Sequence, residues 1–226
     1  WSVSSAASNG TATVSGTAAA PTTFTYAPNA DFNGSDSFVV QVSDGALTDT
    51  ITVNVTVSGV SDAPVITQGA GPLAATMSED GSPTAWSAPT LGATDVDTAS
   101  ASLVWSVSSA ASNGTATVSG TAAAPTTFTY APNADFNGSD SFVVQVSDGA
   151  LTDTITINVT VSGVSDNPVI TQGAGPLSVT MSEDGSPTAW SAPTLGATDV
   201  ETADSALVWS VSSAASNGTA TVSGTA

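Results

Sequence analysis

The chain has no lysine, no arginine and no histidine. A surface without cationic side chains cannot neutralise phosphates, which excludes nucleic acid as a partner and disfavours anionic membranes. Cysteine is absent too, so there is neither a disulfide framework nor a thiolate metal site. Without His, Cys or Lys, serine and cysteine triads lack their usual base, and no catalytic set is expected. A paired-carboxylate hydrolase would have to be copied in every repeat with no cleft to house it. No apolar run is long enough to span a bilayer, so the chain is not read as membrane-embedded. Charge of either sign is sparse: 8% of residues, all acidic, giving a net charge of −19.

What the chain does contain is repetition. Residues 1–122 align with 105–226 at an offset of 104, and only eight positions differ. The differences are at 53/157, 63/167, 74/178, 75/179, 97/201, 100/204, 101/205 and 102/206. One stretch punctuates the pattern, Val57-Ser58-Gly59-Val60-Ser61-Asp62-Ala63-Pro64, and recurs as Val161-Ser162-Gly163-Val164-Ser165-Asp166-Asn167-Pro168. A polar/apolar alternation dies away before it, and its proline stops a ladder from continuing through it. Each copy reads as a joint between folded units. Residues 63–166 are then one complete repeat, 1–62 the C-terminal part of a preceding repeat, and 167–226 the N-terminal part of a following one. The whole is expected to be a window on a longer array.

Within the complete repeat, period-2 patterns dominate and no helical period persists. Strand A is expected at about 64–77, in two pieces around Gly69 to Pro72, and B at about 84–93. C follows at about 102–109, D at 115–119 and E at 125–131. F is placed at 140–147, with Phe142, Val144 and Val146 inward. G is placed at 151–162, with Ile155, Ile157, Val159 and Val161 inward. Asn113-Gly114 and Asp148-Gly149 mark turns. Seven short strands in about a hundred residues predict an all-β fold of tandem immunoglobulin-like sandwiches, with Trp105 buried on strand C.

The motifs resemble a known family. Ala93-Thr94-Asp95-Val96-Asp97, then Leu103-Val104-Trp105-Ser106, resembles the Ala-x-Asp-x-Asp and apolar-x-Tyr-Ser segment of cadherin repeats. Val146-Ser147-Asp148-Gly149 resembles their Ala-x-Asp-x-Gly segment, and Val164-Ser165-Asp166-Asn167-Pro168 the end of their Asp-x-Asn-Asp-Asn-x-Pro linker. Phe128-Thr129-Tyr130-x-Pro132 with Phe136-x-Gly138-x-Asp140-Ser141-Phe142 is closer still to the cadherin-like tandem repeats of giant bacterial surface adhesins. The resemblance implies calcium between domains. Where cadherin linkers carry two carboxylates these carry one, with Ser61 and Ser165 in place of an Asn, so one or two ions per joint are expected rather than three.

Strand parity tests that implication independently. If A runs away from the N-terminal end and each later strand reverses, loops BC and FG gather at that end, and AB and EF at the other. Every acid outside the linkers is then expected in an end loop, none mid-strand. At the joint around Asp62, Asp31 and Asp36 come from below and Asp95, Asp97 and Asp148 from above, with Asp153 also in FG. At the joint around Asp166, Glu79, Asp80, Asp135 and Asp140 come from below and Asp199 and Glu201 from above, and Asn167 offers a side-chain oxygen. Two carboxylates about 5 Å apart at an effective dielectric near 20 repel by roughly 3 kcal/mol. With no cationic side chain to relieve them, a hard cation that takes 6–8 oxygens fits, calcium before magnesium.

The sequence therefore points to a stalk or fibre of an extracellular, cell-surface or secreted protein, stiffened by calcium at its joints, whose partners are its own neighbouring repeats. A rival reading is a subunit of a self-assembling filament or sheath, in which another copy's 168–226 completes the fold begun at 1–62. A third is a carbohydrate- or ice-binding module using the outward hydroxyl row of Thr154, Thr156 and Thr160, for which a solvated strand face is the simpler explanation.

Overall fold

The computed structural model describes residues 1–224, and these are all-β apart from two short 3₁₀ turns at Ser100–Ser102 and Asp204–Ala206. The strands fall into three groups. The first holds β1 (Ser2–Ser5), β2 (Gly10–Ser15), β3 (Thr23–Pro28), β4 (Gly34–Ser43) and β5 (Thr48–Val57). The second holds β6 (Val65–Ile66), β7 (Leu73–Ser78), β8 (Ala93–Thr94), β9 (Val104–Ser109), β10 (Gly114–Thr121), β11 (Thr127–Pro132), β12 (Gly138–Ser147) and β13 (Thr152–Ser162). The third has only β14 (Val169–Ile170) and β15 (Ala197–Thr198).

The second group carries the main core. A sheet ordered β11-β10-β9-β12-β13-β7 is antiparallel except at its last pair, where β7 runs parallel to β13. Gly120, at φ +133°, turns β10 so that its first part pairs with β11 and its last two residues with β9. A side chain there would drive a Cβ to 2.7 Å from the Thr126 backbone nitrogen, and the left-handed φ already favours glycine. The bend lays the β10–β11 hairpin over the β9-β12-β13 face. Tyr130 of β11 stacks on Phe142 of β12 at 5.8 Å, and Phe128 meets the same ring edge-on at 6.2 Å.

Between the layers lie Leu103, Trp105, Val144, Val146, Ile155 and Ile157, all 0–2% exposed. The Trp105 indole is buried as expected and donates its Nε1–H to the Ala122 carbonyl at 3.0 Å, so its one polar atom is satisfied. β4 and β5 reproduce the pairing of β12 and β13: Gly34↔Val57 through Ser43↔Thr48 repeats Gly138↔Val161 through Ser147↔Thr152.

Two expectations are corrected. Strand A is indeed split, into β6 and β7, but residues 84–92 form no strand, and only Ala93–Thr94 pairs, with β6. Pro83 and Pro89 have no N–H to give a ladder. Trp86 and Leu91 still reach the core from irregular backbone, Trp86 donating its Nε1–H to the Phe128 carbonyl at 3.2 Å. The acids are also not confined to loops. Asp140 is the third residue of β12 and Asp153 the second of β13, as Asp36 and Asp49 are of β4 and β5.

Candidate metal centres at the joints

Each joint gathers backbone N–H groups of the linker onto carboxylates of the flanking units. At the first joint, the Asp62 N–H donates to Asp97 Oδ2 at 2.8 Å, and the Ser61 hydroxyl to Asp148 Oδ2 at 3.3 Å. Asp95 Oδ1 accepts the Asp97 and Thr98 N–H groups at 2.8 and 2.7 Å and so fixes the turn that presents Asp97. Asp148 Oδ1 does the same for the Asp148-Gly149 turn, accepting from Ala150 and Leu151 at 2.7 and 2.6 Å. Those bonds, with that from Ser61, hold the Asp148 carboxyl below its usual pKa. Asp31 stands at φ +61°, a left-handed position that a short Asp side chain tolerates, and lines an open cleft of about 230 Å³ with Asn33, Asp62 and Asp97. The lower unit, the linker and the upper unit each put a carboxylate on this one cleft.

The second joint shows the other half of the arrangement. Glu79 follows β7 directly; its N–H donates to the Ser162 carbonyl at 3.1 Å and its Oε1 accepts the Val164 N–H. The Asp166 N–H donates to Glu201 Oε2 at 2.9 Å. Position 201 carries a longer acid than Asp97, yet it takes the same linker N–H. Asp199, like Asp95, ties its own turn by accepting from Glu201 and Thr202 at 3.2 and 2.7 Å. The Asp166 carboxyl is pushed up by burial and then by the negative charges of Glu201, Asp80, Asp135 and Glu79. Four of the acids named from sequence at this joint thus act on its linker aspartate. Asp135 repeats the left-handed backbone of Asp31, at φ +58°. Asn167 is exposed.

Asp36 and Asp140 are corrections: neither belongs to a joint. Asp140 is 8% exposed and accepts from the Ser112, Asn113 and Ser141 N–H groups and the Tyr130 hydroxyl, at 2.8–3.1 Å. Asp36 repeats that set with Ser8, Asn9, Ser37 and Tyr26. Burial pushes the Asp140 carboxyl up, but the four donors outweigh it and its pKa is lowered. Burial, and then the bond to Asp140, push the Tyr130 hydroxyl up. This buried anion locks the β9–β10 turn and β11 onto β12, and it has no lone pair to spare for a metal.

Asp153 does structural work at the first joint that the sequence reading did not assign. Its Oδ2 accepts the Ile66 N–H at 2.8 Å, pinning β6 to the start of β13. The signal was available: Asp153 shares the inward parity of Ile155 and Ile157, as Asp140 shares that of Phe142. The hydroxyl row of β13 faces out, with Thr154 and Thr160 exposed and Thr156 half-buried.

Among the described residues, no three acids converge tightly enough to enclose an ion as the side chains stand. The donor chemistry nevertheless fits a cation. Two buried carboxylate oxygens, Glu79 Oε2 and Asp95 Oδ2, have no hydrogen-bond donor. A buried anionic oxygen without a partner is costly, and this chain has no cationic side chain to supply one. Glu79 stands on the lower side of the Asp166 joint and Asp95 on the upper side of the Asp62 joint, so each joint holds one such oxygen.

Solved structures place the fold. The chain is similar to human CDH23 EC21-23, with 16% identity, a TM-score of 0.52, and coverage of 95% of this chain and 74% of that one. It also matches protocadherin gamma B2 extracellular cadherin domains 3-6, at 15% identity and a TM-score of 0.41, covering 89% of this chain and about half (52%) of that one. A weaker match, at a TM-score of 0.33 and 19% identity, is to an endo-fucoidan hydrolase of glycoside hydrolase family 107, covering 70% of this chain and 24% of that one. No curated protein matches the sequence. The family described as bacterial Ig domain matches residues 1–56 and 61–160. A cadherin-like sandwich that recurs at 104 residues and matches that family over most of its length belongs to it: this chain is a tandem-repeat member of the bacterial Ig domain family.

Proposed function

We propose that the chain is a segment of a long extracellular stalk or fibre, made of 104-residue repeats such as 63–166 and stiffened by calcium at each joint. The observation that carries this is Glu79 Oε2, a buried carboxylate oxygen without a donor on the lower side of the Asp166 joint, with Asp95 Oδ2 in the same state on the upper side of the Asp62 joint. Calcium takes oxygen ligands only, and extracellular modules bind it at about 10⁻⁴–10⁻³ M. Glu79, Asp80 and Asp135 from below, Asp166 in the linker, and Asp199 and Glu201 from above would hold it. Asp31, Asp62, Asp95, Asp97 and Asp148 do so at the first joint. The ion would neutralise their mutual repulsion and tie the end loops of successive units, which removes the hinge at Ser-Asp-x-Pro. The role is mechanical rather than enzymatic. The absence of His, Lys and Cys leaves the serine and threonine hydroxyls without their usual activating base.

Small-angle scattering with and without chelator tests it. Calcium is expected to lengthen the maximum dimension and narrow the distribution of shapes. Identical curves in EDTA and in millimolar calcium would refute it.

A further inference from the structure

Two kinds of Asn-Gly pair recur in this chain, and the fold treats them differently. Asn113-Gly114 is locked. Asn113 is half-buried, its N–H donates to Asp140 Oδ2 at 2.9 Å, and its carbonyl accepts the Asn133 N–H at 2.8 Å. Gly114 pairs with Pro132, and the Tyr130 ring lies 2.6 Å from where a Cβ would stand. Asn9-Gly10 copies this pair, its Asn9 N–H bound to Asp36 at 2.8 Å and its Gly10 packed under Tyr26.

Asn137-Gly138, at the start of β12, is open. Asn137 is exposed, and among the described residues none donates to it or accepts from it outside the strand ladder. Gly138 stands at φ +129°, and a Cβ there would meet nothing nearer than the Phe136 ring at 3.6 Å. What the Asn137 side chain does touch is the linker: its Nδ2 lies 3.6 Å from the Cβ position of Gly163, just ahead of Asp166. Asn33-Gly34 is the same pair one repeat earlier. The Asn33 side chain lies 3.4 Å from the Cβ position of Gly59, and it lines the first-joint cleft beside Asp31, Asp62 and Asp97.

We propose that Asn33 and Asn137 are sites of spontaneous deamidation, each adding a carboxylate to its joint. A glycine nitrogen carries no neighbouring Cβ to shield it from the preceding side chain. The Gly138 nitrogen gives up its proton and attacks the Asn137 side-chain carbonyl carbon. The new C–N bond closes a succinimide ring, and the bond to the side-chain nitrogen breaks, releasing ammonia. Water then opens the ring at either carbonyl, leaving aspartate or its β-linked isomer, each with a free carboxylate. Because calcium affinity rises with the number of charged ligands, the product tightens the joint. That consequence rests on the calcium reading of the joints; the chemical step does not.

The test is to incubate the 226-residue chain at mildly alkaline pH, folded and in urea, then digest it with chymotrypsin and weigh the peptides. Residues 33–38 and 137–142 give one peptide sequence, and 2–24 and 106–128 another, so each peptide reports one kind of pair. In the folded chain the first should gain its mass unit at least ~10-fold faster than the second, because the locked pair must first open its turn. In urea the two should convert alike. Equal rates in the folded chain, or no conversion of the open pair, would overturn the assignment. For the joints, the double variant Asn33→Asp, Asn137→Asp stands in for the aspartate product and should bind calcium ~10-fold more tightly than the wild type by calorimetry. Unchanged affinity would overturn the effect on the joints and leave the calcium reading standing. A wild type that binds no calcium would refute that reading and the effect with it, while the peptide masses still decide the chemistry.

Discussion

Glu79→Gln separates a calcium ligand from an ordinary structural carboxylate. Glu79 is 9% exposed; Oε1 holds the Val164 N–H while Oε2 has no donor. Glutamine keeps a carbonyl oxygen for Val164 and replaces the orphaned anionic oxygen with a neutral NH₂. In EDTA the change therefore relieves a buried unsatisfied charge, whose cost is about 1–3 kcal/mol, and the variant should be at least as stable as the wild type. In calcium at a hundred times its dissociation constant, the ion stabilises the wild type by about 2.7 kcal/mol. Removing one carboxylate ligand should weaken binding by tenfold or more, which takes away at least about 1.4 kcal/mol of that increment. The assay is urea unfolding of wild type and variant, each with EDTA and with calcium. The quantity that decides is the calcium-induced gain, large in the wild type and much smaller in the variant. If Glu79→Gln lowers stability by the same amount in both buffers, Glu79 is only a hydrogen-bond acceptor and the reasoning fails.

Three further outcomes follow from the core of the repeat. Asp140→Asn puts an amide where four donors converge, and should cost about 2–3 kcal/mol by chemical unfolding, with no change in calcium affinity by calorimetry. The Asp140 carboxyl has a lowered folded-state pKa, so its contribution is whole above the unfolded value near 4 and is lost as pH falls through the lowered one. The stability gap between wild type and Asp140→Asn should accordingly shrink on acidification below about pH 4. Gly114→Ala places a Cβ at 2.6 Å from the Ala131 carbonyl oxygen and the Tyr130 ring, and should cost about 1–3 kcal/mol, read as a lower thermal midpoint.

Much of this arrangement is written plainly in the residues. Alternation in Phe142-Val143-Val144-Gln145-Val146 and Ile155-Thr156-Ile157 specifies both the strands and their inward faces, because a half-buried antiparallel strand repeats every two residues. The turns at Asn113-Gly114 and Asp148-Gly149 bracket them. Strand B was not legible because its apolar residues, Trp86 and Leu91, carry no strand period. Their contacts arise from backbone that two prolines keep out of any ladder. The role of Asp140 was legible but overlooked: an acid in phase with a core stripe is an inward acid, and an inward acid needs donors. At the joints, the sequence named Asp62 with Asp97 and Asp166 with Glu201, and in each pair the linker N–H donates to the partner carboxylate. The setting of Glu79 depends on its packing against Val164, 85 residues further along the chain, which no local pattern encodes.

The parallel run of β7 beside β13 has a consequence for load. Tension on a tethered chain enters the complete repeat near Asp62 and leaves near Asp166. It pulls β7 and β13 past one another along their shared axis, so the backbone bonds linking Leu73–Ser78 to Ile157–Ser162 are stressed together rather than peeled singly. A clasp loaded in shear yields only when all its rungs fail at once, so each domain should resist drag as a unit and break abruptly.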